Sequence, residues 1–405
     1  MSSRRLPTLP LRPSIPIRPA RASSKRHARW ASSATPKRPR TAIFFPGQGV
    51  QRVGMIDPWL DAFPRTVKPV MEEIDSVLGL PLTRIIAEGT NAELTATENS
   101  QPAIMATSVM ILRVLEQEFG FKTAERVDFT LGHSLGEFAA LVAGEYLDFE
   151  DSLRMTRKRG EVMGRCAREA ADQFGGEVGM VALVLENESR MTDLIDAIYE
   201  FLGLSSPGSK NDSAQDEPAV QQVLIANINS KNQIVLSGAI EKINTLLTHL
   251  RQFGGHDPRA VRLKSDSPFH SPLMQPAMDF MKKTLYNTKR ADGSDIVAFP
   301  GAFPIVSNVS ARPVQSREQL KDLLARQCVE TVQWWDSVKY LDKEEKVRRW
   351  IGVGPGKVGR NLVGKEVGMK GAVKGGGVWG ITSPKEAEEC LKGLDATESA
   401  DEDEE

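Results

Sequence analysis

The pentapeptide "GHSLG", residues 132–136, stands between the apolar run "VDFTL" and the apolar stretch "EFAALVAGEYL". It constrains the fold more than any other feature of the chain. A run of strand type, a turn holding two glycines and a pattern of helical type make a strand, turn and helix in direct succession. A serine in G-x-S-x-G at such a junction sits on a sharp elbow, with its Oγ exposed and the next backbone N–H free to serve an oxyanion. The helix N-terminus adds its positive end. Ser134 is therefore a candidate nucleophile, and a capping serine in a tight turn is the competing reading.

The segments on either side set the fold class. "TAIFFPGQG" reads as a buried strand, Ala42 to Phe45, stopped by Pro46, and "SQPAIMATSVMILRVLEQEFG" has an apolar face at helical spacing with a glycine at its end. "DFEDSLRMTRKRGEVMGRCAREAA" continues as a helix, and "GGEVGMVALVL", "VLIANINS" and "NQIVLSGAIEKINTLLTHLRQFG" alternate strand and helix in α+β order. From Val261 the chain returns to strands followed by helices, among them "FPIVSNVS" and "RRWIGV". The pattern predicts an α/β domain with a mainly parallel sheet covered by helices, built from residues 41–171 and 263–392, with a smaller subdomain inserted at 172–262. At 405 residues the chain is long enough to bury a deep cleft. Within the insert, "LGLSSPGSKNDSAQDEPAVQ", residues 202–221, has the composition of a flexible surface segment.

Composition excludes several classes. The chain is 40% hydrophobic and 26% charged, and no apolar run approaches the ~18 residues of a membrane span. Three scattered cysteines, Cys166, Cys328 and Cys390, offer no zinc or disulfide spacing. The net charge of −1 conceals an asymmetry: the first 40 residues carry 11 Lys and Arg and no acid, which leaves 41 basic against 53 acidic residues beyond them. Such an acid-free, Arg- and Ser-rich start predicts a mitochondrial transit peptide over residues 1–40, cleaved between 29 and 41, and hence a matrix location. A basic arm for nucleic acid is disfavoured because nothing aromatic interleaves the charges. Residues 393–405, ending in "ESADEDEE", are expected to form a disordered acidic tail.

A serine hydroxyl needs a base, and five histidines are available. His27 lies in the transit segment, His133 adjoins the serine and should leave from the opposite face, and His249 and His256 fall at solvent edges. His270 remains, in "SDSPFHSPLM", where Pro268 and Pro272 restrain a loop able to present an imidazole. An ordinary loop histidine is the alternative.

These motifs together carry a resemblance. With "FFPGQG", "SQPAIM", "GHSLGEFAAL", "RKRGEVM", "SPFHSPLMQPA", "SNV", "ARQ…VQW" and "VGPGKV" in order over residues 42–392, the chain resembles the malonyl-CoA:acyl carrier protein transacylases, the malonyltransferases of fatty acid synthesis. The resemblance implies a hydrolase-like core with a ferredoxin-like insert, and roles for particular residues. Ser134 would be the nucleophile and His270 its base. The backbone N–H groups of Gln48 and Leu135 would form the oxyanion hole, and Arg159 would bind the malonyl carboxylate. Gln327, through its backbone carbonyl, would orient the histidine, with Asn308 and Gln101 in support. It also implies malonyl-CoA as donor, the phosphopantetheine thiol of acyl carrier protein as acceptor, no metal or other cofactor, and a monomer. Two positions depart from the pattern: Val50 stands where serine is common, and Gly352 where an acid is common. Phe269 matches malonyl-selective members.

An arginine fork pairs a carboxylate through two charge-assisted hydrogen bonds of about 1.5–3 kcal/mol, and an acetyl group offers it nothing. A serine hydrolase or thioesterase shares the elbow and would draw its acid from between Ser134 and the histidine, where acids are plentiful; Arg159 and "FPGQG" argue against it. "GPGKVG", Gly354–Gly359, fits a dinucleotide loop, but the fingerprint needs an acid ending the next strand about 20 residues on, and the chain offers only "VKGGGVWGITS" there. A non-catalytic carrier-protein scaffold would not need Ser134. Because carrier protein is acidic, a local basic patch is expected, with Arg157, Lys158, Arg165, Lys357 and Arg360 as candidates.

Overall fold

The computed structural model describes residues 38–174, 176–203, 223–264, 267–368 and 376–398. The expected transit segment up to residue 37, the flexible segment from 204 and the tail from 399 lie outside the described residues.

Five strands form a parallel sheet: β1 (Arg40–Phe45), β2 (Phe129–Gly132), β7 (Ile305–Val306), β8 (Val347–Val353) and β9 (Gly377–Ile381), in the order β7-β2-β1-β8-β9. β1 and β2 are buried over almost their whole length, as strands covered on both faces must be. That is why they read as continuous apolar runs. Phe44, Leu131 and Trp350 pack with Trp334 on one side. β1 starts at Arg40, earlier than the sequence suggested. Arg38 and Arg40 also belong to the folded body, paired with Asp128 at 2.8 Å and with Glu345 at 2.6 Å.

The helix Thr97–Phe119 is buried through most of its length, packs against the helix Phe149–Phe174, and stops at Gly120, whose φ of 65° is a left-handed cap. Residues 393–398, expected in the acidic tail, are instead the end of the helix Pro384–Glu398. Gly393, Leu394 and Thr397 are buried there, because the apolar face of this helix continues past the point where acids accumulate.

The segment between the two halves forms a second, antiparallel sheet. Its strands β3 (Val178–Val184), β4 (Leu224–Ser230), β5 (Gln233–Ala239) and β6 (Arg259–Arg262) run in the order β4-β5-β3-β6. Helices Met191–Phe201 and Ile240–Gln252 contribute Leu194, Ile198, Leu246 and Leu250 to its aliphatic core. β4 also touches the main domain: the Ile228 N–H donates to the Val332 carbonyl at 3.0 Å, and the Val332 N–H to the Ala226 carbonyl at 2.8 Å. Among the described residues no helix is long and apolar enough to cross a membrane.

Candidate active site

β1, β2 and β8 all end at the same edge of the parallel sheet, where α/β folds place their ligands. The loop "PGQG" leaves β1 there, and the elbow leaves β2. Ser134 has φ of 49°, a left-handed conformation that costs a non-glycine residue energy and marks a turn held in place by its surroundings. The two flanking glycines follow from contact. A Cβ on Gly132 would come within 2.0 Å of the Gly136 backbone, and one on Gly136 within 2.4 Å of the Phe45 carbonyl oxygen. Asn308, just after β7, clamps the elbow: its Oδ1 accepts from the Ser134 N–H at 2.7 Å and its Nδ2 donates to the Gly132 carbonyl at 2.7 Å.

The structure brings Ser134 and His270 together across 136 residues of sequence, with Oγ and Nε2 at 2.8 Å. The Nδ1 of His270 lies 2.7 Å from the backbone carbonyl of Gln327. A carbonyl only accepts, so Nδ1 carries the proton and Nε2 presents its lone pair to the serine hydroxyl. Burial, and then the nearby Arg159 charge, hold the imidazole down to about 3, so it is a neutral base near pH 7. His270 too has a left-handed φ, 57°, and its loop is pinned by a hydrogen bond from the Ser271 hydroxyl to the Pro268 carbonyl at 2.6 Å.

Ser134 and His270 open into a cavity of about 450 Å³ whose walls come from both sheets, including Gln48, Phe269, Met180 and Asn229. Among the described residues, the backbone N–H groups of Gln48 and Leu135 donate to no protein acceptor, so both remain for an oxyanion. Asn229 of β4 reaches back to the elbow, with its Oδ1 2.8 Å from His133 Nε2.

Arg159 is not the solvated helix arginine that "RMTRKRGE" suggests in isolation. It is 1% exposed. One terminal nitrogen donates to Gln101 Oε1 at 2.8 Å and the other to Gln327 Oε1 at 2.9 Å, while its Nε–H is buried without a partner. It is close enough to His270 for its charge to act on the imidazole, and it is not among the residues lining the cavity. Two neutral amides therefore hold a buried cation with N–H groups to spare, an arrangement suited to a carboxylate arriving on the serine.

Glu137 went unnoticed in the sequence, where an acid in the first turn of a helix is ordinary. It is 1% exposed. Its two oxygens accept from the Asn308 N–H at 3.3 Å and from the Gln327 side-chain amide. It does not touch His270, so the place a hydrolase gives to an acid is taken here by the Gln327 carbonyl.

The basic residues expected to form a patch are largely neutralised: Arg157 and Lys158 pair with Glu161 at 2.8 and 2.9 Å, Arg165 with Glu169 at 3.7 Å and Lys357 with Glu386 at 2.6 Å. Arg360 donates to the Val378 carbonyl at 3.3 Å. None of the five lines the cavity; its basic residues are Arg262 and Lys264.

Comparison with known proteins gives a consistent result. The family model described as an acyl transferase domain matches residues 43–209. The malonyl CoA-acyl carrier protein transacylase of Bacillus subtilis (strain 168) is 33% identical over 326 residues, 80% of this chain and 90% of that protein. Its namesake in Staphylococcus aureus (strain MRSA252) is 31% identical over 80% of this chain and 92% of its own length. Among solved structures, the acyl-carrier-protein-S-malonyltransferase of Bartonella henselae superposes with a TM-score of 0.69 at 31% identity, over 88% of this chain and 99% of that one. A malonyl-transacylase in complex with its type II PKS acyl-carrier protein gives 0.70 at 30% identity, over 87% and 99%.

Proposed function

The chain belongs to the malonyl-CoA:acyl carrier protein transacylase family, and from that premise we propose how its own residues move a malonyl group from malonyl-CoA to acyl carrier protein for fatty acid synthesis. The observation that carries the reading is the relay Ser134 Oγ, His270 Nε2 and Nδ1, Gln327 carbonyl, set at the elbow and open to the cavity.

His270 takes the proton as Ser134 attacks the thioester carbon, and the oxyanion is held by the Gln48 and Leu135 N–H groups. Each such donor contributes about 2.7–4 kcal/mol. Collapse of the tetrahedral adduct breaks the C–S bond, and His270 returns its proton to the CoA thiolate, leaving malonyl-Ser134. The phosphopantetheine thiol of the carrier protein then reverses the sequence. Side chains and thiols complete this double displacement without any change of oxidation state. Arg159 receives the malonyl carboxylate; an acetyl group would leave that buried cation without its anion.

The β-α-β-β-α-β order of residues 178–262 supports reading the insert as ferredoxin-like. The acid-free start supports a mitochondrial presequence, and the pairing of Arg38 with Asp128 supports cleavage before Arg38. N-terminal sequencing of the mature protein tests that point.

The central test uses labelled malonyl-CoA without carrier protein. A stable acyl-enzyme should form, map by mass spectrometry to Ser134, and discharge onto added carrier protein. Rapid release of free malonate would instead identify a hydrolase. In Arg159→Ala, kcat/KM for malonyl-CoA should fall by roughly ten- to a hundredfold relative to acetyl-CoA.

A further inference from the structure

Resting on the proposed role of Arg159, the geometry points to Glu137 as a positioning residue: its carboxylate dictates which way round the Gln327 side-chain amide sits, and thereby holds Arg159 ready for the substrate carboxylate.

The reasoning is one of donor and acceptor polarity. The Gln327 side chain is fully buried and meets three neighbours. Arg159 can only donate, so the atom facing it at 2.9 Å must be the amide oxygen. The amide NH₂ then faces the Ser134 carbonyl at 3.0 Å and the Glu137 carboxylate, both of which accept. Turning the amide over would oppose hydrogens to hydrogens at Arg159 and oxygens to oxygens at the other two contacts. The second Glu137 oxygen faces another donor, the Asn308 N–H at 3.3 Å, so a proton on either oxygen would confront an N–H. The ionised carboxyl is thus the form that fits, and it locks the row from Arg159 through Gln327 and Glu137 to Asn308.

Burial leaves the Glu137 carboxyl raised to about 7 even against the downward pull of Gln327, Asn308 and Arg159, so the anion that fits predominates only above neutrality. These donors are what keep an anion in so dry a place. A neutral amide at position 137 presents a hydrogen as readily as an oxygen. On that side only the Ser134 carbonyl then still opposes a turned Gln327, and every amide that turns takes one of its two acceptors from Arg159 and leaves Gln101 alone to hold it.

The test compares acyl-enzyme formation from malonyl-CoA and from acetyl-CoA in the full chain. Glu137→Gln keeps the volume of the side chain and is expected to lower kcat/KM for malonyl-CoA about tenfold relative to acetyl-CoA. Gln327→Ala retains the backbone carbonyl that orients His270 and should give the same malonyl-specific loss. Because both act through one amide, the double variant should lose no more than either single one. Equal losses for both donors in Glu137→Gln, or additive losses in the double variant, would overturn the inference. Should Glu137→Gln not fold, an unchanged malonyl-to-acetyl ratio in Gln327→Ala overturns it by itself. Arg159→Ala separates the two levels: loss of malonyl preference there with none in Glu137→Gln removes only the role of Glu137, whereas no loss in Arg159→Ala removes the carboxylate role and this inference with it.

Discussion

At the carboxyl edge of the parallel sheet Glu137, Arg159, His270, Asn308 and Gln327 are buried as one connected polar set, while the core of the antiparallel insert, from Leu183 to Leu250, is aliphatic. Both regions border the same cavity, the first through His270 beside Ser134 and the second through residues of its sheet. The parallel sheet supplies the groups that must be aimed, each fixed by at least one hydrogen bond to another element. The insert supplies a wall, with Met180, Ala182 and Val235 facing the cavity and the aliphatic cluster behind. Aiming requires buried polar groups whose partners are all correct. Walling requires only dense packing. The two regions should therefore respond to different perturbations.

Acid should act on the first region. His270 is held at about 3 when folded against an ordinary 6.5, so the unfolded chain binds the extra proton between those values. Its contribution to stability is complete above 6.5 and is lost as pH falls toward 3, at about 1.4 kcal/mol per pH unit and roughly 5 kcal/mol over the whole window. Denaturant unfolding across that range should show a shallower acid loss in His270→Gln than in the unaltered protein. Equal slopes would mean that the imidazole is not held neutral. Truncation should act on the second region. Leu183 is fully buried in the aliphatic cluster, and Leu183→Ala should cost about 2–5 kcal/mol with no change in the pH slope. A cost below about 1 kcal/mol would show that the insert core is not packed as described.

The same division explains what could be read from the sequence. The elbow was legible because its motif is local: Gly132 excludes a Cβ from the Gly136 backbone within one turn, and although Gly136 answers to Phe45 of β1, it stands in the same five residues. β1, β2 and the helix Thr97–Phe119 were legible because apolar period and a terminal glycine are local as well. His270 emerged by elimination among five histidines, with nothing in its own loop to show that Ser134 lay 2.8 Å away. The burial of Arg159 and the part played by Glu137 were not legible. Each depends on Gln327, which lies 168 residues from Arg159 and 190 from Glu137, and no spacing encodes that meeting. The end of the last helix was misread for the opposite reason: its acids suggested solvent, while Leu394 and Thr397 still packed inward.

The smallest effect should appear at the seam between the regions. Asn229 extends from β4 of the insert to His133, the residue before the nucleophile, with Oδ1 and Nε2 at 2.8 Å. His133 is in turn tied to β1 through its backbone N–H, which donates to the Phe45 carbonyl at 3.0 Å. The side chain of Asn229 thus links wall to elbow without touching Ser134 or His270. A hydrogen bond of this kind contributes about 0.5–1.5 kcal/mol. Asn229→Ala should lower stability by that amount and slow acyl-enzyme formation by less than about tenfold, equally for malonyl and acetyl donors. An effect on one donor alone would place substrate discrimination partly in the insert, and the division between aiming and walling would then fail at its boundary.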